Sequence, residues 1–286
     1  MSRGAREIVW VTGAKGRIAQ SIIKRLDNLR YAIITTDAEL DVSDLNAVRS
    51  YCEAYRPNYI INCAGIRRDE CESLPESQVY RVNTLGPRNI AIAAQEVDAV
   101  MVHISSDDVF GRPLYAVNEF DMPHPLSTYG KSKLAGESFV RDLTHRRVIV
   151  RSSWVYTALP DDSLVKAIKA ARSGGVFEVP ANEFASPTSC ATLATSIIAI
   201  MESGEYGTFH ITTEGLCSRY EFAKAVLEDL GLSASCLIPT YNAADSCRVE
   251  LRNLMLEMNG LITMPSWKED LEEFIRTHQS VLMREE

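Results

Sequence analysis

The chain has 286 residues, 46% of them hydrophobic and 24% charged, a globular composition that excludes disordered, collagen-like and fibrous readings. Asp and Glu number 38 against 30 Lys and Arg, for a net charge of -8, so no nucleic-acid partner is expected and a phosphate group would need a local site. No apolar run approaches the roughly 20 residues of a membrane span, and the stretch from Met1 to Glu7 is charged, without an apolar leader core, which points to the cytoplasm and no membrane.

The first apolar run, Ile8 to Val11, reads as a strand. It enters a turn holding Gly13, Lys15, Gly16, Arg17 and Ile18, and a helix to about Leu26. A Gly-rich turn between strand and helix lets the backbone approach a pyrophosphate, whose charge sits on the free amides of the helix start. Ala19 stands where such turns usually have a third glycine. A tight turn with no ligand would look the same.

The second strand, Ala32 to Thr35, ends at an acidic turn running from Asp37 to Asp44. Asp37 can accept both ribose hydroxyls of an adenosine. Its carboxylate repels a 2'-phosphate while Lys15 and Arg17 attract one, so NAD and NADP both stay open, with a lean to NADH. A helix from Leu45 to Tyr55, a strand from Tyr59 to Cys63 and a helix around Ser77 to Val97 follow. Then come a strand from Val100 to Ser105, a Pro-containing loop from Arg112 to Pro125, a helix from Thr128 to Leu143 and a strand from Arg147 to Arg151. This alternation is that of an α/β doubly wound parallel sheet, the Rossmann architecture.

Tyr129 and Lys133 are four apart, on one face of the Thr128 to Leu143 helix. A phenol titrates near about 10, and a neighbouring ammonium favours its ionised form, which suits a general acid or base. Tyr220 and Lys224 repeat the spacing, without nucleotide-site elements before them, and read as an ordinary helix. Ser105, Ser106, Asp107 and Asp108 sit at the carboxyl end of a strand, the edge on which parallel sheets place ligands.

After Ser153 shorter elements follow, punctuated by Gly174 and Gly175, by Ser186-Pro187-Thr188, and by Gly204 and Gly207. Residues 1–154 with about 182–212 are expected to form the dinucleotide-binding domain. About 155–181 with 213–286 form a smaller C-terminal substrate-binding region, the chain returning to the main sheet once. Seven cysteines without a Cys-x-x-Cys pair read as reduced thiols. The five histidines, at 103, 124, 145, 210 and 278, are scattered, so no metal is expected; His103, inside an apolar strand, reads as a core residue.

Thr-Gly-Ala-Lys-Gly-Arg-Ile at 12–18, Ile-Ser-Ser-Asp-Asp-Val-Phe at 104–110 and Tyr-Gly-Lys-Ser-Lys-Leu-Ala-Gly-Glu at 129–137 together resemble extended short-chain dehydrogenase/reductases, and within them the dTDP-4-dehydrorhamnose reductase family. Ile-Asn-Cys-Ala-Gly at 61–65, Val-Asn-Thr-Leu-Gly-Pro-Arg-Asn at 82–89, Arg-Ser-Ser-Trp-Val-Tyr at 151–156 and Gly-Thr-Phe-His-Ile-Thr at 207–212 extend the likeness over nearly the whole chain. The resemblance implies NAD(P)H-dependent reduction of the 4-keto group of a nucleotide-linked deoxysugar for a surface polysaccharide. It gives Tyr129 as proton donor, Ser106 on the sugar's C4 oxygen, and Lys133 lowering the tyrosine pKa and binding the nicotinamide ribose. It further implies that Asp41 and Val42 lie by the adenine, that Cys63, Ala64 and Gly65 line the cofactor, and that Asn83 braces the active-site helix. Asp107, Trp154 and Arg248 would face the nucleotide sugar, and the resemblance allows a homodimer.

The chain departs from that pattern at Asp108, where the reductases usually have Tyr, at Val249 after Arg248, at Ser127, and in a shortened loop from Gly111 to Glu119. Two other readings stay open. Asp107-Asp108 could imitate the Thr-Asp-Glu of nucleotide-sugar 4,6-dehydratases. Arg67-Arg68-Asp69 resembles a stretch of the methionine adenosyltransferase β subunit, a nucleotide-binding regulatory protein; as a bland alternative the two arginines are a surface pair balancing nearby acids.

Overall fold

The computed structural model describes residues 6–113, 115–241 and 247–284. The expectations for Met1 to Ala5, and for Leu114 in the loop from Gly111 to Glu119, lie outside them. In β1 (Glu7–Thr12) Val9 and Val11 face one core while Trp10 faces another, because side chains alternate along a strand. The same two-sided burial recurs in β3 (Tyr59–Asn62), β4 (Val100–Ile104) and β5 (Arg147–Arg151), as a parallel sheet covered on both faces requires. With β2 (Tyr31–Thr36) and β10 (Gly207–His210) these strands form a six-stranded sheet in the order β10-β5-β4-β3-β1-β2, parallel throughout.

Helices α1 (Arg17–Arg25) and α8 (Cys190–Ser203) cover one face with Ala19, Ile22, Leu193 and Ile197. The other face lies under α2 (Leu45–Tyr55), α5 (Gly86–Glu96) and α6 (Thr128–Leu143), through Val48, Ile90, Ala94 and Val140. A short helix, α3 (Arg68–Cys71), follows β3. The helix expected from Ser77 to Val97 is α4 (Glu76–Tyr80), a π turn over Arg81–Leu85, and α5. Pro87 has no amide hydrogen to continue the ladder onto Asn83, and the amide of Gly86 reaches back to the carbonyl of Arg81.

The second region comprises β6 (Val155–Tyr156), α7 (Ser163–Ser173), β7 (Phe177–Pro180), β8 (Glu183–Ala185) and β9 (Thr188–Ser189), and, after β10, β11 (Cys217–Ser218), α9 (Arg219–Asp229), β12 (Leu237–Thr240), β13 (Cys247–Arg248) and α11 (Trp267–Leu282). Its own core joins Leu164 and Ile168 of α7, Phe222 and Val226 of α9, and Leu271 and Phe274 of α11. Two features differ from the expected division. β8, expected with the main sheet, pairs with β11 and β13. Leu256 of α10 (Leu254–Asn259) and Met264 belong to the main core, so the chain returns there a second time. Asn253 makes this return specific, accepting from the Thr212 amide at 3.1 Å and donating to the Thr212 carbonyl at 2.9 Å. Among the described residues no helix is long and apolar enough to cross a membrane.

The seating of α6 is close. A Cβ added at Gly136 would lie 2.5 Å from the Asn83 carbonyl oxygen and 3.3 Å from Pro87 Cγ. Alanine is favoured over glycine in a helix by about 1 kcal/mol, but here the contact is with backbone. Gly136→Ala should therefore lower stability by about 1–3 kcal/mol, read as a lower urea midpoint.

Candidate active site

The turn after β1 places Gly13 at a φ of +60°, a left-handed conformation that favours glycine. A Cβ there would stand 2.7 Å from the Ala64 amide nitrogen, so the turn lies against the carboxyl end of β3. Helix α1 begins at Gly16 with no side-chain cap and no acid in its first turn, leaving its amides and dipole available to an anion. Thr12 and Asn62 are hydrogen-bonded at 2.7 Å and both accept from the Ala64 amide, at 3.3 and 3.2 Å. That net fixes the Cys63-Ala64-Gly65 floor. Ile18 packs against the core beneath the turn, and burial pushes the Cys63 thiol up to about 12. A turn that accepts no Cβ, facing an uncapped helix, fits a dinucleotide diphosphate.

At the end of β2, Asp37 accepts from the Lys15 amide at 2.9 Å while its own amide donates to Glu39 at 2.8 Å, which places two carboxylates where an adenosine ribose would lie. Beyond them Asp41 bonds Ser43 at 2.6 Å and faces Arg81 at 3.5 Å. Val42 is buried, its carbonyl accepting from Asn89 at 3.1 Å.

The proton-handling residues meet at the ends of β4 and α6. The Ser106 hydroxyl donates to Asp107 at 3.0 Å and accepts from the Asp108 amide at 3.2 Å, and the Tyr129 phenol lies near enough to feel Ser106 and both carboxylates. Asp107 also accepts from Ser153 at 2.5 Å. Lys133, 5% exposed, donates to the Ile104 carbonyl at 2.6 Å, and burial brings it down to about 8. Asn83 ties α6 to the chain after β3, donating to Ser132 at 3.1 Å and accepting from the Ile66 amide at 2.8 Å. The net effect of the surroundings on the Tyr129 phenol is upward, by burial and then by the carboxylates of Asp108 and Asp107, where the resemblance implies a lowering by Lys133.

His103 is fully buried. Its Nδ1 pairs with the Asn62 amide group at 3.1 Å, and burial holds the ring neutral. Among the described residues no group of His, Cys, Asp or Glu could hold a metal ion.

Asp107 and Asp108, which follow Ser106, and Ser127, two residues before Tyr129, line a cavity of about 450 Å³ whose walls also include Arg68, Trp154, Phe184 and Arg219. Arg68 meets Asp108 at 3.2 Å, which puts one of the two paired arginines at the cavity mouth. Burial and Asp107 push the Asp108 carboxyl up to about 6, against the pull of Arg68. Trp154 holds a φ of +38°, strained for a bulky residue, and Arg219 lies 4.1 Å from the centre of its ring, within cation–π range. Arg219 escaped the sequence reading because only the fold brings the start of α9 against Trp154. A second cavity of about 240 Å³ shares Trp154 and Arg219 with the first and reaches Arg17.

Two expected contacts go elsewhere. The Arg17 guanidinium is held by Asp161 at 3.4 Å and Asp162 at 3.3 Å, the second region thus clasping the nucleotide turn, and Arg67 joins the same Asp161 at 3.2 Å. Arg248, two-thirds exposed, pairs with Glu250 at 3.0 Å while its neighbours Cys247 and Val249 line the larger cavity.

Proton chemistry set beside a dinucleotide turn, on the carboxyl edge of a doubly wound sheet, is the layout of a Rossmann-type oxidoreductase that uses NAD or NADP. Residues 7–280 match the RmlD substrate binding domain family, and the chain belongs to it. The dTDP-4-dehydrorhamnose reductase of Aggregatibacter actinomycetemcomitans is 33% identical over 228 residues, 77% of this chain and 78% of that protein. The spore coat polysaccharide biosynthesis protein SpsK of Bacillus subtilis is 30% identical over 280 residues, 95% of this chain and 98% of that one. The structure of dTDP-4-dehydrorhamnose reductase from Bacillus anthracis in complex with NADP has a TM-score of 0.89 at 32% identity, covering 96% of this chain and all of the other.

Gly13→Ala tests the turn. A Cβ 2.7 Å from backbone must separate the turn from β3, and we expect cofactor affinity, followed by NADH fluorescence, to fall at least about tenfold, 1.4 kcal/mol, with the circular dichroism spectrum retained.

Proposed function

We propose that the protein reduces the 4-keto group of a dTDP-linked 6-deoxyhexose, the reaction named for its reductase relatives, in the cytoplasm and toward a cell-surface polysaccharide. The observation that carries this reading is the meeting of Ser106 and Tyr129, with Lys133 one turn on, beside a cavity that Asp107, Asp108 and Ser127 line and that has arginines at its walls. The nicotinamide, when bound, supplies the hydride. Ser106 holds the ketone oxygen, and Tyr129, whose raised pKa keeps it protonated at neutral pH, gives that oxygen its proton. Lys133 holds the nicotinamide ribose. Arg68 and Arg219 neutralise the diphosphate of the sugar nucleotide, Trp154 covers the sugar, and the second region forms the far wall of its cavity. Every group named comes from one chain, so the reading needs no second subunit.

Neither Asp107 nor Asp108 stands ready for the acid–base work of a dehydratase. The first accepts from Ser106 and Ser153, and the second is paired with Arg68. The intact triad likewise favours a catalyst over a regulatory subunit.

The cofactor is NADH in preference to NADPH. Asp37 and Glu39 bring two carboxylates to the end of β2, where the adenosine ribose would lie, and Arg17, one of the two turn cations that could offset them, is held by Asp161 and Asp162.

Loss of reduced-nicotinamide absorbance with dTDP-4-dehydrorhamnose tests the reaction. Tyr129→Phe should lose about 10²–10⁴ in kcat with NADH affinity nearly unchanged; a variant that keeps most of its turnover would overturn the assignment. In the same assay kcat/KM should favour NADH over NADPH by at least about tenfold, and Asp37→Asn should narrow that ratio. An equal preference in the wild type would remove the cofactor assignment.

A further inference from the structure

Four residues beyond Lys133, on the same face of α6, lies Glu137, fully buried and so far without a role. Lys133 and Glu137 grip consecutive residues at the end of β4. The Lys133 ammonium donates to the Ile104 carbonyl at 2.6 Å, and the Ser105 hydroxyl donates to Glu137 at 2.5 Å. Arg151, at the end of β5 and 3% exposed, closes on the Glu137 carboxylate at 2.7 and 3.0 Å. Next to Ser105 stands Ser106.

A buried ammonium bound to a neutral carbonyl remains undercompensated, because desolvation favours the neutral amine. The other groups that face Lys133 bring no charge to offset this. Cys63, from the end of β3, is a thiol pushed up to about 12, and His103, from β4, is held neutral by burial. Tyr129, one turn back on α6, keeps its proton. The Glu137 carboxylate supplies the negative charge that favours the ammonium, with the positive charge of Arg151, bonded to the same carboxylate, set against it.

We propose that Glu137 is a positioning residue for the proton-transfer site: its carboxylate, fixed by Arg151 and Ser105, holds Lys133 as an ammonium against the end of β4 and sets the alkaline limit of the site. This rests on the oxidoreductase reading above. It goes beyond it by giving the buried Glu137–Arg151 pair a catalytic consequence, where such a pair in itself contributes little net stability.

The two partners have opposite charges, so substituting each in turn separates this role from a structural one. Glu137→Gln removes the negative charge facing Lys133; the ammonium is then lost at lower pH, and the alkaline limb of kcat/KM should move down by about half a unit or more. Arg151→Met breaks the same pair but leaves the carboxylate in place, so the limb should not move down. Removing one partner of a buried pair leaves an uncompensated buried charge, and Glu137→Gln alone risks unfolding. The double variant Glu137→Gln with Arg151→Met leaves no unpaired charge and should still move the limb down, by less than the single one, in which the Arg151 charge stands unopposed.

Each variant is read twice between about pH 6 and 10, by turnover with the keto sugar and by NADH binding without it. If all three variants shift alike, or none shifts, Glu137 is a structural residue only and the proposal falls. If the wild type does not reduce the keto sugar, the proposed reaction fails, and the pH dependence of NADH binding still decides the role of Glu137.

Discussion

The seating of α6 on the carboxyl ends of β3, β4 and β5 is the constraint on which the rest of this molecule depends. A lysine and a glutamate are buried together on one helix face, and each finds its partner on a strand end. Buried charges without partners cost several kcal/mol each, and their geometric demands are strict. The same contacts that satisfy them therefore allow the helix one rotation and one depth. Gly136 gives that depth against Asn83, and Asn83 in turn bonds Ser132 and the Ile66 amide. Tyr129 reaches Ser106 because these contacts, a turn or two further along the helix, leave it no other place.

A second constraint joins the two regions. Asp161 lies between Arg17 of the nucleotide turn and Arg67 beyond β3, so one carboxylate spans the groove in which a dinucleotide would run. These are partly exposed pairs, of modest worth individually, and such contacts open and close more readily than a packed core. The second return of the chain, through Asn253 and Leu256, is of the opposite kind, buried and hydrogen-bonded. One side of the second region is thus anchored to the main core, while the edge facing the nucleotide turn is held by ion pairs.

How much of this was legible in the sequence follows the range of the interactions. Alternating burial along Val9, Trp10 and Val11, the glycine turn and the four-residue spacing of Tyr129 and Lys133 are local patterns, and the sheet and triad could be read from them. Pro87 was visible, but that it converts a helix into a π turn depends on how Gly86 and Asn83 pack against Val42 and α6. Arg17 carries no mark that its partners lie at Asp161 and Asp162, and Arg219 none that it will cover Trp154. Arg248 shows the same limit: residues adjacent in a short strand point to opposite sides, and here Cys247 and Val249 line the cavity while Arg248 pairs with Glu250.

The charges of the site locate its proton. Burial and two carboxylates make the Tyr129 phenolate costly, so the phenol stays loaded at neutral pH, while burial makes the Lys133 ammonium costly and Glu137 opposes that. The two effects work on opposite ends of the same helical turn. A phenol this reluctant to ionise would be a weak donor on its own. In the proposed reaction the ketone oxygen would become strongly basic only once its carbon is reduced, so a proton held on Tyr129 would transfer downhill at that moment and not before. In the proposed reaction Asp107 and Asp108 would oppose ionisation of the phenol before the ketone is reduced, while their ties to Ser106, Ser153 and Arg68 occupy their own oxygens.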